Sequence, residues 1–333
     1  MSELTRIAVI GSTAFSASDF IDYALENPGN TVLGISRSPE ATPVMLPHLR
    51  HGTGRYRFAQ LHLVKDSEKV ISALKDFRPH YVVNFAAQGE VRTSFDHPIE
   101  HFETNTLAMV KLTTALRKME GLKRYLHIST PEVYGSAADG AVREGAVMNP
   151  SSPYAASKGA ADLYLNVLSK TLGFPVTTIR ASNVYGAHQQ LYRIIPRTVI
   201  YYKLGKTLKL DGGGVAVKSF IHIRDISKGE YLAMTKGRAG EVYHLSPDRG
   251  VSIRHVVETI CREIGADFSK FVEVGPERPG QDAAYILDSS KARSELGWAP
   301  TIGFDEGVRG VCRWIEANWD AIKTMPHDYI FAE

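Results

Sequence analysis

RIAVIGSTAFSASDF, residues 6–20, reads as a β-branched strand that turns at Gly11 into a helix. The same rhythm returns through the first half of the chain. NTVLGIS (30–36), HYVVNFAA (80–87), RYLHIST (124–130) and PVTTIRAS (175–182) are short apolar runs, and 66–77 and 99–119 between them repeat apolar residues at helical spacing. Strand, helix, strand in this order predicts an α/β protein on a doubly wound parallel sheet. The runs are apolar on both sides, so helices should cover both faces. After about residue 185 the rhythm breaks, and YYKLGKTLKLDGGG, KSFIHIRDISKGEYLAM, GEVYHLS and FVEVG alternate with helical patterns such as 252–264. These predict a smaller α+β lobe. The chain divides at 1–185 and 186–333, interleaved, with the segments near 220 and 243 as candidates to return to the main sheet.

Composition narrows the partners. The chain has 333 residues, 39 basic and 36 acidic, for a net charge of +3, and the basic residues form no stripe that would track nucleic acid. Cys261 and Cys312 stand far apart, and none of the twelve histidines falls into a metal-ligand spacing, so neither a disulfide framework nor a metal is expected. MSELTRIAVIG enters a strand without a basic-then-apolar leader, and no apolar run reaches the roughly 18 residues that span a bilayer. The expectation is a soluble, cytoplasmic protein without a membrane partner.

The turn after the first strand is a candidate phosphate site, because a helix amino terminus offers free N–H groups and a positive dipole end. It makes the sheet Rossmann-type in expectation. Gly11 is in the first position of a glycine-rich pattern, but Ala14 and Ala17 replace the later glycines. An ordinary strand-to-helix turn would look the same. The second strand ends in Ser36, Arg37 and Ser38 where an acidic residue would hold ribose hydroxyls; these donors suit a 2′-phosphate, predicting NADP over NAD.

A second constellation lies in HISTPEVYG (127–135) and SSPYAASK (151–158), which hold Thr130, Glu132, Tyr154 and Lys158. Tyr154 and Lys158 share a helix face, and a lysine beside a phenol should favour the phenolate and make a base for an alcohol. By itself the pair could also be a surface contact, and Glu132 a solvated or capping residue after a strand.

Taken together with NFAAQGEV, ETNTLAMVKL, IRASNVYG, KSFIHIRD and ERPGQDAAYILDSSKARSELGW, these motifs resemble the extended short-chain dehydrogenase/reductases over nearly the whole chain. Within that group they are similar to the nucleotide-sugar 4,6-dehydratases acting on dTDP-glucose or GDP-mannose. The resemblance implies that Thr130 and Tyr154 contact the sugar C4 hydroxyl and that Lys158 binds the nicotinamide ribose. It assigns Gly11, Thr13, Ala14, Phe15, His62, Leu63, Ala86, Ala87, Gln88 and Asn105 to the cofactor, beside Ser36, Arg37 and Ser38. Glu90, Pro131, Asn183, Arg193, Lys218, Arg278 and Asp282 fall to the nucleotide sugar, Lys218 and Arg278 at its diphosphate.

The implied chemistry is oxidation at C4, removal of the C5 proton by Glu132, loss of water from C6 and return of hydride to C6. Three outcomes of the same triad compete with it: epimerisation, 5,6-dehydration and hexuronate decarboxylation. A protein that binds NADP without turnover is the rival of another class. Departures from the family pattern are Pro131, where an acid or a serine is usual, His62 for an aspartate that meets the adenine amino group, Lys218 for arginine and Gln281 for histidine. The corresponding helices of the family pair across a homodimer, which 99–119 and 154–172 are expected to do here.

Overall fold

A computed structural model describes residues 4–52, 54–135, 140–276 and 286–328. Strand β1 (Thr5–Ile10) buries Ile7, Ala8, Val9 and Ile10 almost completely, as a strand covered on both faces must. Around it, in parallel, lie β2 (Asn30–Ser36), β3 (Tyr56–Gln60), β4 (Tyr81–Asn84) and β5 (Arg124–Ile128). Val176–Ala181 and Val242–Leu245 complete seven strands, in the spatial order Val242–Leu245, Val176–Ala181, β5, β4, β1, β2, β3. The order reverses between β1 and β4, which opens a crevice beyond the carboxyl ends of those strands. The fold is thus α/β, doubly wound and parallel.

Two apolar layers sandwich the sheet. Helix α1 (Phe15–Leu25) and the helices Ile223–Lys236 and Ser290–Leu296 cover one face, packing Phe20, Ile21, Ile226 and Leu296 against Ile7, Val9 and Leu245. Helices α2 (Ser67–Phe77), α3 (Pro98–Phe102), α4 (Ala108–Leu116) and α5 (Pro153–Leu172) lie on the other side, where Leu74, Leu112 and Leu165 meet Ala8, Ile10 and Tyr125.

The later residues do not keep to themselves. Val242–Leu245 forms an edge of the main sheet, whereas Phe220–His222 pairs with Asn183–Tyr185 in a separate two-stranded sheet. The smaller lobe has its own core, in which Tyr185, Ile195, Val199, Ile260 and Ile315 meet between the helices Ile194–Lys203, Ile253–Ile264 and Phe304–Ala317. Among the described residues no helix is long and apolar enough to cross a membrane, and no group of His, Cys, Asp or Glu is arranged for a metal.

Two elements differ from the sequence reading. The edge strand β3 went unrecognised because only five residues long and half-exposed, with Arg57 and Gln60 facing out, it lacks an apolar run. The segment 99–119 is not one helix: a π turn, Glu103–Leu107, joins α3 to α4.

Candidate active site and cofactor cleft

Gly11 takes φ +81°, and a Cβ there would stand 2.6 Å from the Ala86 nitrogen. Only glycine lets the chain pass β4 so closely. Ala14, in contrast, has φ −69° and ψ 148°, an extended conformation open to any residue, and Ala17 is buried in the core. Alanine at these positions therefore costs the turn nothing. Ala14 is the N-cap of α1 and brings no side-chain acceptor, so the first N–H groups of the helix stay available to an anion.

An open cleft of about 210 Å³ borders this turn, lined by Gly11, Thr13, Ala14, Ser36, Arg37, Ser38, His62, Leu63, Ala86, Ala87 and Thr104. Thr13 and Ser36 hydroxyls hydrogen-bond at 2.7 Å across the mouth of β1 and β2. Among the described residues no carboxylate lines the cleft. Phe15 begins α1 and packs into the core beneath it. Asn105, in the π turn, accepts from the Gln88 N–H at 2.9 Å and donates to the Gln88 carbonyl at 3.0 Å and the Ser157 hydroxyl at 2.9 Å. One side chain thus ties the segment after β4 to α5. The donors and the glycine passage fit a dinucleotide along the crevice, with its phosphates at α1.

The second cluster forms where β5 ends. Thr130 caps the short 3-10 helix Pro131–Tyr134 by accepting from the Glu132 N–H at 3.3 Å. Gly135 closes the turn at φ +68°, where a Cβ would collide with the Asn149 carbonyl. Ser152 caps α5 and delivers Tyr154 and Lys158 from its first turns. The Tyr154 hydroxyl lies close to Thr130 and within the fields of Glu132 and Arg193. Burial first, then the Glu132 charge, push its pKa well above the usual 10.

This corrects the expectation of a phenol depressed by its lysine. Lys158 is buried and donates to the Ile128 carbonyl at 2.7 Å instead. Desolvation brings its own pKa down to about 8, against an opposing pull from Asp162. Asp162, one turn further along α5, accepts from Ser129 at 2.7 Å and from Arg180 at 2.7 Å and stands 3.4 Å from His127. Although burial raises a carboxyl, His127 and Arg180 outweigh it and hold Asp162 down to about 2. Arg180 also donates to Tyr134, whose hydroxyl meets His244 at 2.7 Å. A buried ionic network therefore underlies the end of β5, and the sequence reading missed it. Two signals pointed there: Asp162 lies on the Lys158 face of α5, and Arg180 is a charge inside an apolar strand.

Asn183 donates at 3.3 Å to the carbonyl of Ser219, the chain neighbour of Lys218. Arg193 is the N-cap of Ile194–Lys203 and stacks its guanidinium over Tyr192 at 5.1 Å. Pro131 is buried beneath Thr130, and half-buried Glu90 accepts from Thr93 through its carbonyl. Arg278, Gln281 and Asp282 lie outside the described residues.

The family profile described as GDP-mannose 4,6 dehydratase matches residues 9–311. The chain belongs to that family. It is 30% identical to a dTDP-glucose 4,6-dehydratase of Haemophilus influenzae, over 95% of this chain and 99% of that one. With the dTDP-glucose 4,6-dehydratase of Streptomyces niveus it shares 33% identity over 96% of each. Among solved structures, DesIV of Streptomyces venezuelae, a dTDP-glucose 4,6-dehydratase with NAD and TYD bound, superposes with a TM-score of 0.86 at 30% identity, covering 95% of this chain and 98% of that one. The UDP-glucose 4-epimerase of Thermotoga maritima superposes with the same TM-score at 25% identity, covering 95% and 100%. Dehydratases and epimerases in this extended short-chain dehydrogenase/reductase group share one scaffold, so the scaffold alone does not choose between their reactions.

Proposed function

We propose that the chain is an NADP-dependent nucleotide-sugar 4,6-dehydratase, and the observation that carries this reading is the Glu132 carboxylate beside the Thr130–Tyr154 pair. Oxidation at C4 needs a base for one hydroxyl proton, which Tyr154 provides as phenolate, a form that the positive charge of an oxidised nicotinamide would favour against burial, with Thr130 holding the oxygen. Epimerisation at C4 asks for nothing more. A carboxylate at this place suits a second proton abstraction, from the carbon that a C4 ketone acidifies. Glu132 takes the C5 proton and, once protonated, delivers a proton to the departing C6 hydroxyl, the role left open by Pro131. The dinucleotide supplies reversible hydride storage.

Ser36, Arg37 and Ser38, with no carboxylate among the described residues lining the cleft, support NADP over NAD. DesIV was solved with NAD. Replacing Arg37 by Asp should reverse the preference, read as the ratio of NADP to NAD affinity. Asn183, Arg193 and Lys218 border the substrate side and suit a nucleoside diphosphate; Arg278 and Asp282 are assigned there from the sequence alone.

The reaction is tested with the purified protein and NADP in deuterated water, offering dTDP-glucose first, then UDP-, CDP- and GDP-hexoses. Loss of one water with one deuteron at C5 is the expected product. Solvent exchange at C5 without water loss would make the chain a C5 epimerase instead.

A further inference from the structure

We propose that His62 is a further donor of a 2′-phosphate site formed with Ser36, Arg37 and Ser38, and that it does not contact the adenine amino group. This rests on the NADP reading. Strands β2 and β3 run in register with Ser36 opposite Gln60, and the Leu61 N–H donates to the Ser36 carbonyl at 2.9 Å. Gln60 also donates through its side chain to the Arg37 carbonyl at 3.2 Å. Residues 37–38 and 61–62 therefore leave the sheet side by side, and Arg37, Ser38 and His62 line one cleft. A ribose whose phosphates sit at α1 presents its 2′ position to this end of β2.

The polarity of His62 is set by its own backbone. Its Nδ1 accepts from the Val64 N–H at 3.1 Å and the Lys65 N–H at 3.3 Å. That nitrogen is unprotonated, so Nε2 carries the hydrogen and donates. Such a ring cannot accept from an adenine amino group, the service a carboxylate gives. Burial, with Arg37 and Lys65 nearby, pushes its pKa below the ordinary value, in keeping with a neutral N–H donor. The nearest carboxylate does not compete: Asp66 accepts from the His62 N–H at 3.0 Å and from Lys69 at 2.9 Å. A donor at this place pairs with an acceptor, and a 2′-phosphate brings three.

The test is calorimetric titration of the full chain with adenosine 2′,5′-bisphosphate and with 5′-AMP. His62→Asn keeps an acceptor where Nδ1 stands, preserving the turn, and removes the distal donor. His62→Gln restores an N–H near the Nε2 position. The wild type should prefer the bisphosphate; His62→Asn should cut that preference about tenfold, the worth of one charge-assisted hydrogen bond, with AMP affinity unchanged, and His62→Gln should recover part of it. A wild-type preference that survives intact in His62→Asn overturns the role of His62 and leaves NADP specificity standing. Equal weakening of both ligands by His62→Asn overturns it too, assigning His62 to the base. No wild-type preference for the 2′-phosphate overturns the NADP reading itself, and with it this site.

Discussion

Glu132 and Tyr154 share one small volume, and their charges oppose each other. The carboxylate raises the phenol, so Glu132→Gln should lower the Tyr154 pKa and move the pH profile of C4 oxidation toward acid, measured as cofactor reduction on mixing with sugar nucleotide. An unmoved profile would separate the two groups. Asp162 carries the second residue-scale prediction. Asp162→Asn leaves Arg180 as a buried charge without its counterion, a loss of about 3–5 kcal/mol in denaturant melts. Because the folded carboxyl is held to about 2, the wild-type advantage should be full above its ordinary 3.8 and fade as pH falls through about 2. The same substitution removes the pull that keeps Lys158 charged, so the Lys158 pKa should drop below about 8. Motif order picked out Thr130, Glu132, Tyr154 and Lys158 as candidates; it carried nothing of their electrostatics. The Tyr154–Lys158 spacing carries no record of burial or of where the ammonium turns, and those decide the direction of the shift.

At the scale of elements, strands were readable where both faces are buried and missed where one is wet. The five runs quoted from the first half correspond to β1, β2, β4, β5 and Val176–Ala181, while β3 has too little apolar surface to announce itself. The π turn was hidden for another reason. Its apolar spacing passes for a continuous helix, while long-range bonds from Asn105 to Gln88 and Ser157 and from the Thr106 hydroxyl to the Ser157 carbonyl hold the wider turn. Asn105→Ala should remove the Asn105 carbonyl oxygen that accepts from the buried Gln88 N–H, lower stability by about 1–3 kcal/mol and weaken dinucleotide binding. Unchanged affinity in titration would confine Asn105 to a packing role.

For the whole molecule, the division at 185 and 186 stays a proposal about function more than about folding. Ile221, Ile226, Leu245 and Trp298 fill the same core as Ile7 and Val9, so the second half is built into the sheet of the first. We also propose a homodimer. Ile99 is 69% exposed, Leu107 56%, Leu163 58% and Val167 57%, an apolar set on α3, the π turn and α5, and wide exposed apolar surface marks an association site. Leu163→Glu with Val167→Glu should turn a dimer into a monomer in sedimentation velocity; a wild type that already sediments as a monomer contradicts the proposal. The central claim, that the Glu132 carboxylate selects dehydration on a scaffold shared with epimerases, is tested most directly by single turnover of Glu132→Gln with NADP and the accepted sugar nucleotide. The account predicts that nicotinamide reduction persists while release of water from C6 falls by orders of magnitude. Water release at the wild-type rate would contradict it.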